Sequence, residues 1–165
     1  MAWGQTAEEW YNKGYNALEK KNFDETIRCF EEAIIIDPNY WKAHYNLGVV
    51  YRDNGMLDKS IVEFKKAIAI NPNFALSHYN IGVVYGKRGL TNKAISEYEK
   101  AIAINPNLID AYNNLGIYYK EKGIIDKAIS SYKKAIAIEP KNSMSHYNLG
   151  FIYSNKGIIS VPTFY

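Results

Sequence analysis

The strongest constraint on the fold is that this sequence repeats itself every 34 residues. The octapeptide KAIAINPN begins at Lys66 and again at Lys100, and a close variant begins at Lys134. Residues 41–74 and 75–108 align without gaps, with 19 of the 34 positions identical. A fixed period of this length is typical of an array of small supersecondary units, each stacked on its neighbours.

The register of the repeat divides the whole chain. Four full repeats occupy residues 7–40, 41–74, 75–108 and 109–142, and residues 1–6 precede them. A fifth repeat begins at Ser143 and has only 23 residues. We expect residues 143–157 to form its first helix and residues 158–165 to be an apolar tail.

Large and small side chains alternate at fixed positions of the repeat. Glycine occupies the eighth position, an aromatic residue the twenty-fourth, alanine the twenty-seventh and proline the thirty-second; in the second repeat these are Gly48, Phe64, Ala67 and Pro72. This pattern resembles the tetratricopeptide repeat (TPR) family. The resemblance implies an all-α fold, a right-handed α-solenoid of stacked helix-turn-helix repeats with the first helices lining a concave face.

Local signals agree with two helices per repeat. Apolar residues such as Leu47, Val50 and Tyr51 recur at helical spacing. Thr6 followed by Glu9 predicts a capping box at the start of the first helix. Glycines are expected to end the first helices, at Gly55, Gly89, Gly123 and Gly157. Four polar residues are expected to be the N-caps of the second helices: Asp24, Asp58, Asn92 and Asp126.

The family frame assigns positions 2, 5, 6, 9, 12 and 13 of each first helix to the concave face. The sixth position is asparagine in all five repeats, which predicts a ladder of amides flanked by aromatic and aliphatic side chains. The candidate peptide-binding residues are Asn12, Asn46, Asn80, Asn114, Asn148, Tyr11, Tyr45, Tyr79, Val49, Val83 and Ile117.

Such a ladder suits a polypeptide ligand. A primary amide offers two donor hydrogens and an acceptor oxygen, so it can pair with either kind of backbone group. The ladder is similar to the one in the TPR superhelix of the O-linked N-acetylglucosamine transferases, which implies capture of an extended peptide. The alternative is that these asparagines fix the spacing between helices. We therefore expect a protein or peptide partner, held as an extended or helical segment.

The carboxylate clamp of chaperone-adaptor TPR proteins is a different mode of peptide binding. It needs lysine and asparagine in one first helix, asparagine in the next, and lysine and arginine in the third. The first three repeats instead supply Tyr11, Tyr15, Asn46, Leu76 and Asn80. A partner with an acidic carboxyl terminus is therefore not favoured, because paired cations are missing.

Enzymatic and metal chemistry are not favoured either. His44, His78 and His146 share the fourth repeat position, and even adjacent repeats are about 10 Å apart, which indicates core packing and not one zinc site. Cys29 shares its repeat position with two glutamates and is expected on the solvent side of its helix. We predict no catalytic residues, no metal and no cofactor.

Composition narrows the partner class further. A net charge of +3 with no block of like charges gives no footprint for nucleic acid. No apolar run is long enough to insert into a membrane. A cytoplasmic protein with a single cysteine is the expectation.

The fifth repeat departs from the pattern. Pro162 stands at the position held by Thr26, Ser60, Ala94 and Ala128 in the full repeats. A solenoid end without a polar cap exposes apolar surface. Two alternatives follow: a self-assembling scaffold that forms homo-oligomers through this open C-terminal end, or a fragment of a longer TPR protein.

Overall fold

The structure is a computed structural model that describes residues 4–155. The described residues form nine α-helices and no strand. Gly157 and the tail 158–165 lie outside the described residues. The helices are α1 (Ala7–Glu19), α2 (Phe23–Ile36), α3 (Trp41–Asp53), α4 (Leu57–Ile70), α5 (Ala75–Lys87), α6 (Thr91–Ile104), α7 (Ile109–Glu121), α8 (Ile125–Ile138) and α9 (Ser143–Asn155).

The chain divides into two compact units within α6, between Ala94 and Ile95. In the first unit, α1 packs on α2 and α3 on α4, and the neighbouring helices α2 and α3, and α4 and α5, also pack together. In the second unit, α7 packs on α8 and α8 on α9. The helical hairpin is therefore the building block of both units.

The hairpins are held closed by a glycine that faces an aromatic ring. An ideal Cβ on Gly48 would lie 2.8 Å from the ring of Phe64, and one on Gly116 would lie 2.5 Å from the ring of Tyr132. Phe64 and Tyr132 are fully buried. This contact explains why the eighth position is glycine and the twenty-fourth aromatic, because only a hydrogen atom fits between the two helices at this point.

The turn inside each hairpin depends on a left-handed residue. Gly55, Gly89 and Gly123 have φ values of 74°, 70° and 73°, and Lys21 takes the same place in the first hairpin with φ 57°. Glycine adopts this conformation without the steric penalty that a side chain brings. The helix breaks predicted at these three glycines are confirmed, and the first repeat makes the same turn with a lysine.

The start of α1 agrees with the sequence-based prediction, whereas the starts of the second helices do not. The capping box is confirmed: Glu9 N donates to Thr6 Oγ1 at 3.2 Å and Thr6 N donates to Glu9 Oε2 at 2.8 Å. The predicted N-caps of the second helices are wrong, because α2 is capped by Asn22 and α4 by Met56. The tight turn starts each second helix earlier than predicted, so the four proposed caps are helical residues of the first turn: Asp24, Asp58, Asn92 and Asp126.

Candidate peptide-binding face

The candidate site is the set of side chains at repeat positions 2, 5, 6, 9, 12 and 13 of the first helices, which we call the first-helix face. In the first unit, α1, α3 and α5 supply it. Asn12 and Lys42 are exposed, and Tyr15 is 48% exposed. Six predicted peptide-binding residues of this unit are half-buried: Tyr11, Tyr45, Asn46, Val49, Tyr79 and Val83.

The asparagines of this face bind tyrosines of the preceding repeat. Asn46 Nδ2 donates to the hydroxyl of Tyr11 at 2.8 Å, and Asn80 Nδ2 donates to the hydroxyl of Tyr45 at 3.1 Å. Both bonds join residues 35 positions apart, so each one links consecutive first helices. Sequence reasoning placed both residue types on this face but missed that they bond to each other.

Asn80 uses its amide entirely within the protein. Its Nδ2 also donates to the backbone oxygen of Leu76 at 2.9 Å, and its Oδ1 accepts a hydrogen bond from Arg52 Nη1. Only 3% of the residue is exposed. Asn80 therefore fixes the spacing between helices, while the half-buried Asn46 spends one amide hydrogen on Tyr11.

The tyrosine rings of the face are wedged between helices. The ring of Tyr11 packs edge-on against Tyr40, with centroids 5.2 Å apart, and that of Tyr45 packs edge-on against Phe74 at 4.8 Å. Burial raises the pKa of both tyrosines, although the hydrogen bonds from the asparagines oppose it. Their hydroxyls stay protonated and act as fixed polar groups at neutral pH.

The second unit breaks the tyrosine pattern. Asn113 stands where the four other repeats have tyrosine, and it is buried. Its Oδ1 accepts from Ser145 Oγ at 2.6 Å, which ties α7 to the start of α9. The predicted residues Asn114, Ile117 and Asn148 are half-buried. A different polar pair therefore joins the first helices of this unit.

A buried ionic cluster lies behind the face and was missed from the sequence. His44 Nδ1 lies 2.6 Å from Glu63 Oε2, and His44 Nε2 lies 3.1 Å from the backbone oxygen of Pro38. Lys66 Nζ binds the other Glu63 oxygen at 2.8 Å. Burial raises the pKa of Glu63, but the hydrogen bonds from His44 and Lys66 outweigh it, so the carboxyl ionises below its ordinary range. His44 and Glu63 are 19 positions apart and share no local motif that would have revealed the pair.

Two sequence-based placements are wrong. Cys29 is fully buried and not on the solvent side, because its repeat position faces the first helix of the same hairpin, as Glu63 does. Its Sγ lies 3.5 Å from Glu25 Oε1, and burial together with this carboxylate raises the pKa of the thiol. His44 is in the core as predicted, but His146 is exposed, because no described residue covers its side of α9.

Among residues 4–155, no group of three or more histidine, cysteine or acidic side chains is arranged to hold a metal ion. Nor does any described helix have both the length and the apolarity needed to cross a bilayer.

Family models match nearly the whole array. Models described as TPR repeat match residues 50–89, 87–123 and 118–157, and models described as tetratricopeptide repeat match residues 7–40 and 29–62. The chain belongs to the tetratricopeptide repeat family. A search of curated proteins gives no match.

Solved structures agree with this assignment. A crystal structure of MamA is 32% identical, covers 88% of this chain and 85% of its own, and superposes with a TM-score of 0.80. MamA from Desulfovibrio magneticus RS-1 is 25% identical over 95% of this chain and 89% of its own, with a TM-score of 0.81. YrrB, described as a TPR protein with an unusual peptide-binding site, is 21% identical over 93% and 79%, with a TM-score of 0.76.

The tetratricopeptide assignment settles two expectations. The fold class is the all-α solenoid of helix-turn-helix repeats. Tetratricopeptide repeat proteins are generally non-enzymatic interaction modules, and the family assignment makes this chain a protein-protein interaction module.

Proposed function

We propose that this tetratricopeptide protein binds an extended or helical peptide segment in a concave groove formed by its first helices. The observation that carries the proposal is the state of Asn46. One hydrogen of its amide is committed to Tyr11, which orients the side chain, while the residue remains half-buried. The other amide hydrogen and the carbonyl oxygen are then pre-oriented for a peptide backbone, and pre-orientation lowers the entropy lost on binding.

Apolar contact would supply most of the affinity. A net hydrogen bond adds only about 0.5–1.5 kcal/mol, so a few amides alone bind weakly. Tyr15, Val49 and Val83 share the ninth repeat position and are half-buried or exposed, so they offer apolar surface next to the amides. In the second unit Ile117 has the same position beside the half-buried Asn114.

The asparagines of the ladder would differ in how much hydrogen bonding they offer a peptide. Asn12 is exposed and Asn46 keeps hydrogen-bonding capacity, whereas Asn80 has committed its amide to Tyr45, Leu76 and Arg52. We infer that Asn12 and Asn46 bind the peptide directly in the first unit. Asn80 would act by holding Tyr45 in place.

The test is a peptide selected from a random 15-residue display library against the full chain, followed by fluorescence polarisation. We expect Asn12→Ala with Tyr15→Ala to weaken binding about tenfold or more, because both side chains are exposed on the first-helix face. The control is Ile35→Ala, which removes a large apolar side chain that is 72% exposed on the second helix α2. The proposal is overturned if Ile35→Ala weakens peptide binding while Asn12→Ala with Tyr15→Ala does not.

A second candidate is self-assembly through the C-terminal end. Three large apolar side chains are exposed on α9: Met144, Tyr147 and Phe151. Exposed apolar surface at one end of a molecule favours association. Light scattering on the full chain and on Tyr147→Ser tests it; a mass that stays monomeric at all concentrations excludes this candidate and leaves the groove proposal intact.

A further inference from the structure

The space around the glycine at the eighth repeat position shows whether the second helix of the hairpin packs against the first helix. In three repeats the glycine at this position faces an aromatic ring, and an ideal Cβ would lie 2.8 Å from Phe30 at Gly14, 2.8 Å from Phe64 at Gly48 and 2.5 Å from Tyr132 at Gly116. Real Cβ atoms do not approach other atoms so closely. The pair of glycine and ring is therefore a contact that any added methyl group disrupts.

In α9 no residue that the structure describes covers the same side of the helix. Repeat positions 4, 7, 8 and 11 are all buried in α3, where they are His44, Leu47, Gly48 and Tyr51. In α9 they are half-buried or exposed, and an ideal Cβ on the glycine meets no atom of residues 4–155 within 4 Å. We call these four residues the α9 open face: His146, Leu149, Gly150 and Tyr153.

The chain itself shows what fits such a face. The second helix of each full repeat, which packs on the first, has a small residue, an aromatic residue four positions later and an alanine three positions after that. In α4 these are Ser60, Phe64 and Ala67, all fully buried against the hairpin partner. The ring fills the space above the glycine and the small residues let the backbones approach.

His146, at the polar end of the α9 open face, favours a carboxylate on the helix that binds there. His146 Nε2 lies 2.8 Å from the backbone oxygen of Pro140, as His44 Nε2 lies 3.1 Å from that of Pro38. This contact sets the ring in the same way in both helices. In α3 the other ring nitrogen binds Glu63, the residue just before Phe64. A helix that covers α9 would gain the same bond from a carboxylate at that place.

We propose that the α9 open face binds, in trans, an amphipathic helix of a partner protein with the pattern small-x-x-Glu-aromatic-x-x-Ala. The chain's own second helices satisfy this pattern in part or in full, and α4 satisfies all of it. Residues 156–165 do not match it, since Pro162 stands at the small position and Tyr165 at the place of the glutamate. The partner helix thereby completes the fifth hairpin.

The test uses a peptide of residues 57–70, with the sequence of α4, titrated into the full isotope-labelled chain and followed by NMR. A hydrocarbon staple between peptide positions 58 and 62, both exposed in α4, keeps the probe helical. We expect shifts at Leu149, Gly150 and Tyr153. A probe carrying Phe64→Ala should bind at least tenfold more weakly, because the ring that covers the glycine is missing.

Variants of the chain distinguish binding at the α9 open face from binding elsewhere on the protein. Gly150→Leu should fold as the native chain does, because the position is open, and should abolish binding of the probe. Met144→Ala, on the opposite side of α9, should leave it unchanged. Met144 is 54% exposed, so this control removes surface without touching the α9 open face.

Three outcomes overturn the proposal. The first is binding that survives Gly150→Leu. The second is no binding at millimolar probe, whether or not Gly150→Leu unfolds the chain; a lowered stability would mean that the chain's own residues already cover the face. The third is self-association abolished by Gly150→Leu, which would make a second copy the occupant. The groove experiment uses other residues and is decided separately.

Discussion

Replacing Asn80 by alanine separates the two roles that an asparagine ladder can have. The residue is 3% exposed and bonds to Tyr45, Leu76 and Arg52. At roughly 0.5–1.5 kcal/mol for each net hydrogen bond, the three bonds stabilise the fold by about 1.5–4.5 kcal/mol. Arg52 retains Asp53 as a partner, so we expect a loss of about 2–3 kcal/mol.

Urea unfolding followed by tryptophan fluorescence measures this loss. The described tryptophans, Trp10 and Trp41, both lie in the first unit with Asn80, so the signal reports the affected region. With an m value of about 2 kcal/mol/M, the midpoint should fall by about 1–1.5 M.

Asn12→Ala is the matched control, because it has the same residue type and repeat position but is exposed. Its free energy of unfolding should change by less than about 0.5 kcal/mol. Equal midpoints for Asn80→Ala and Asn12→Ala would refute the structural role assigned to Asn80.

Three further substitutions test the fold. Gly116→Ala should destabilise the second unit by about 1–3 kcal/mol in chemical denaturation, since the added carbon would lie 2.5 Å from the ring of Tyr132. Lys21→Gly should stabilise the chain by about 0.5–1 kcal/mol, because glycine adopts φ 57° without strain; a lower thermal midpoint would contradict this. The pKa of Glu63 is lowered in the folded state, so its ionised form stabilises the fold above the ordinary value of 4.5 and this stabilisation is lost as pH falls below it. Glu63→Gln, which leaves His44 without its carboxylate, should therefore be less stable at pH 7 but lose less stability than the native chain between pH 5 and 3.

Repetition made the fold predictable and left the hairpin details open. Four full copies of one pattern reinforce each other, so the helix pairs and the alternation of small and large positions were predictable from the sequence alone. The N-cap of α4 did not, because Met56 has no capping side chain and the start of that helix is set by the turn at Gly55. Tertiary context decided what local preference could not.

In the candidate site, too, the positions of residues were predictable from the sequence, but their hydrogen bonds were not. Periodicity placed Asn46 and Asn80 on one face. It did not predict which of the two side-chain amides is fully hydrogen-bonded within the protein, because that depends on the neighbouring repeat. The sequence misplaces Cys29 because glutamate shares its repeat position, and glutamate usually indicates solvent. Glu63 is buried there only because His44, from another helix, supplies a partner. Polarity of one residue is a poor guide to burial when its partner is distant in sequence.

The bonds from Asn46 to Tyr11 and from Asn80 to Tyr45 also bear on how such an array can grow. The second repeat offers the Tyr45 hydroxyl to the repeat after it and the Asn46 amide to the repeat before it. A duplicated copy of residues 41–74 inserted after residue 74 would therefore recreate the Tyr45 bond at both new junctions. A copy inserted after residue 142 would instead follow a repeat that offers Asn113, so the array can lengthen freely by duplication at one end only.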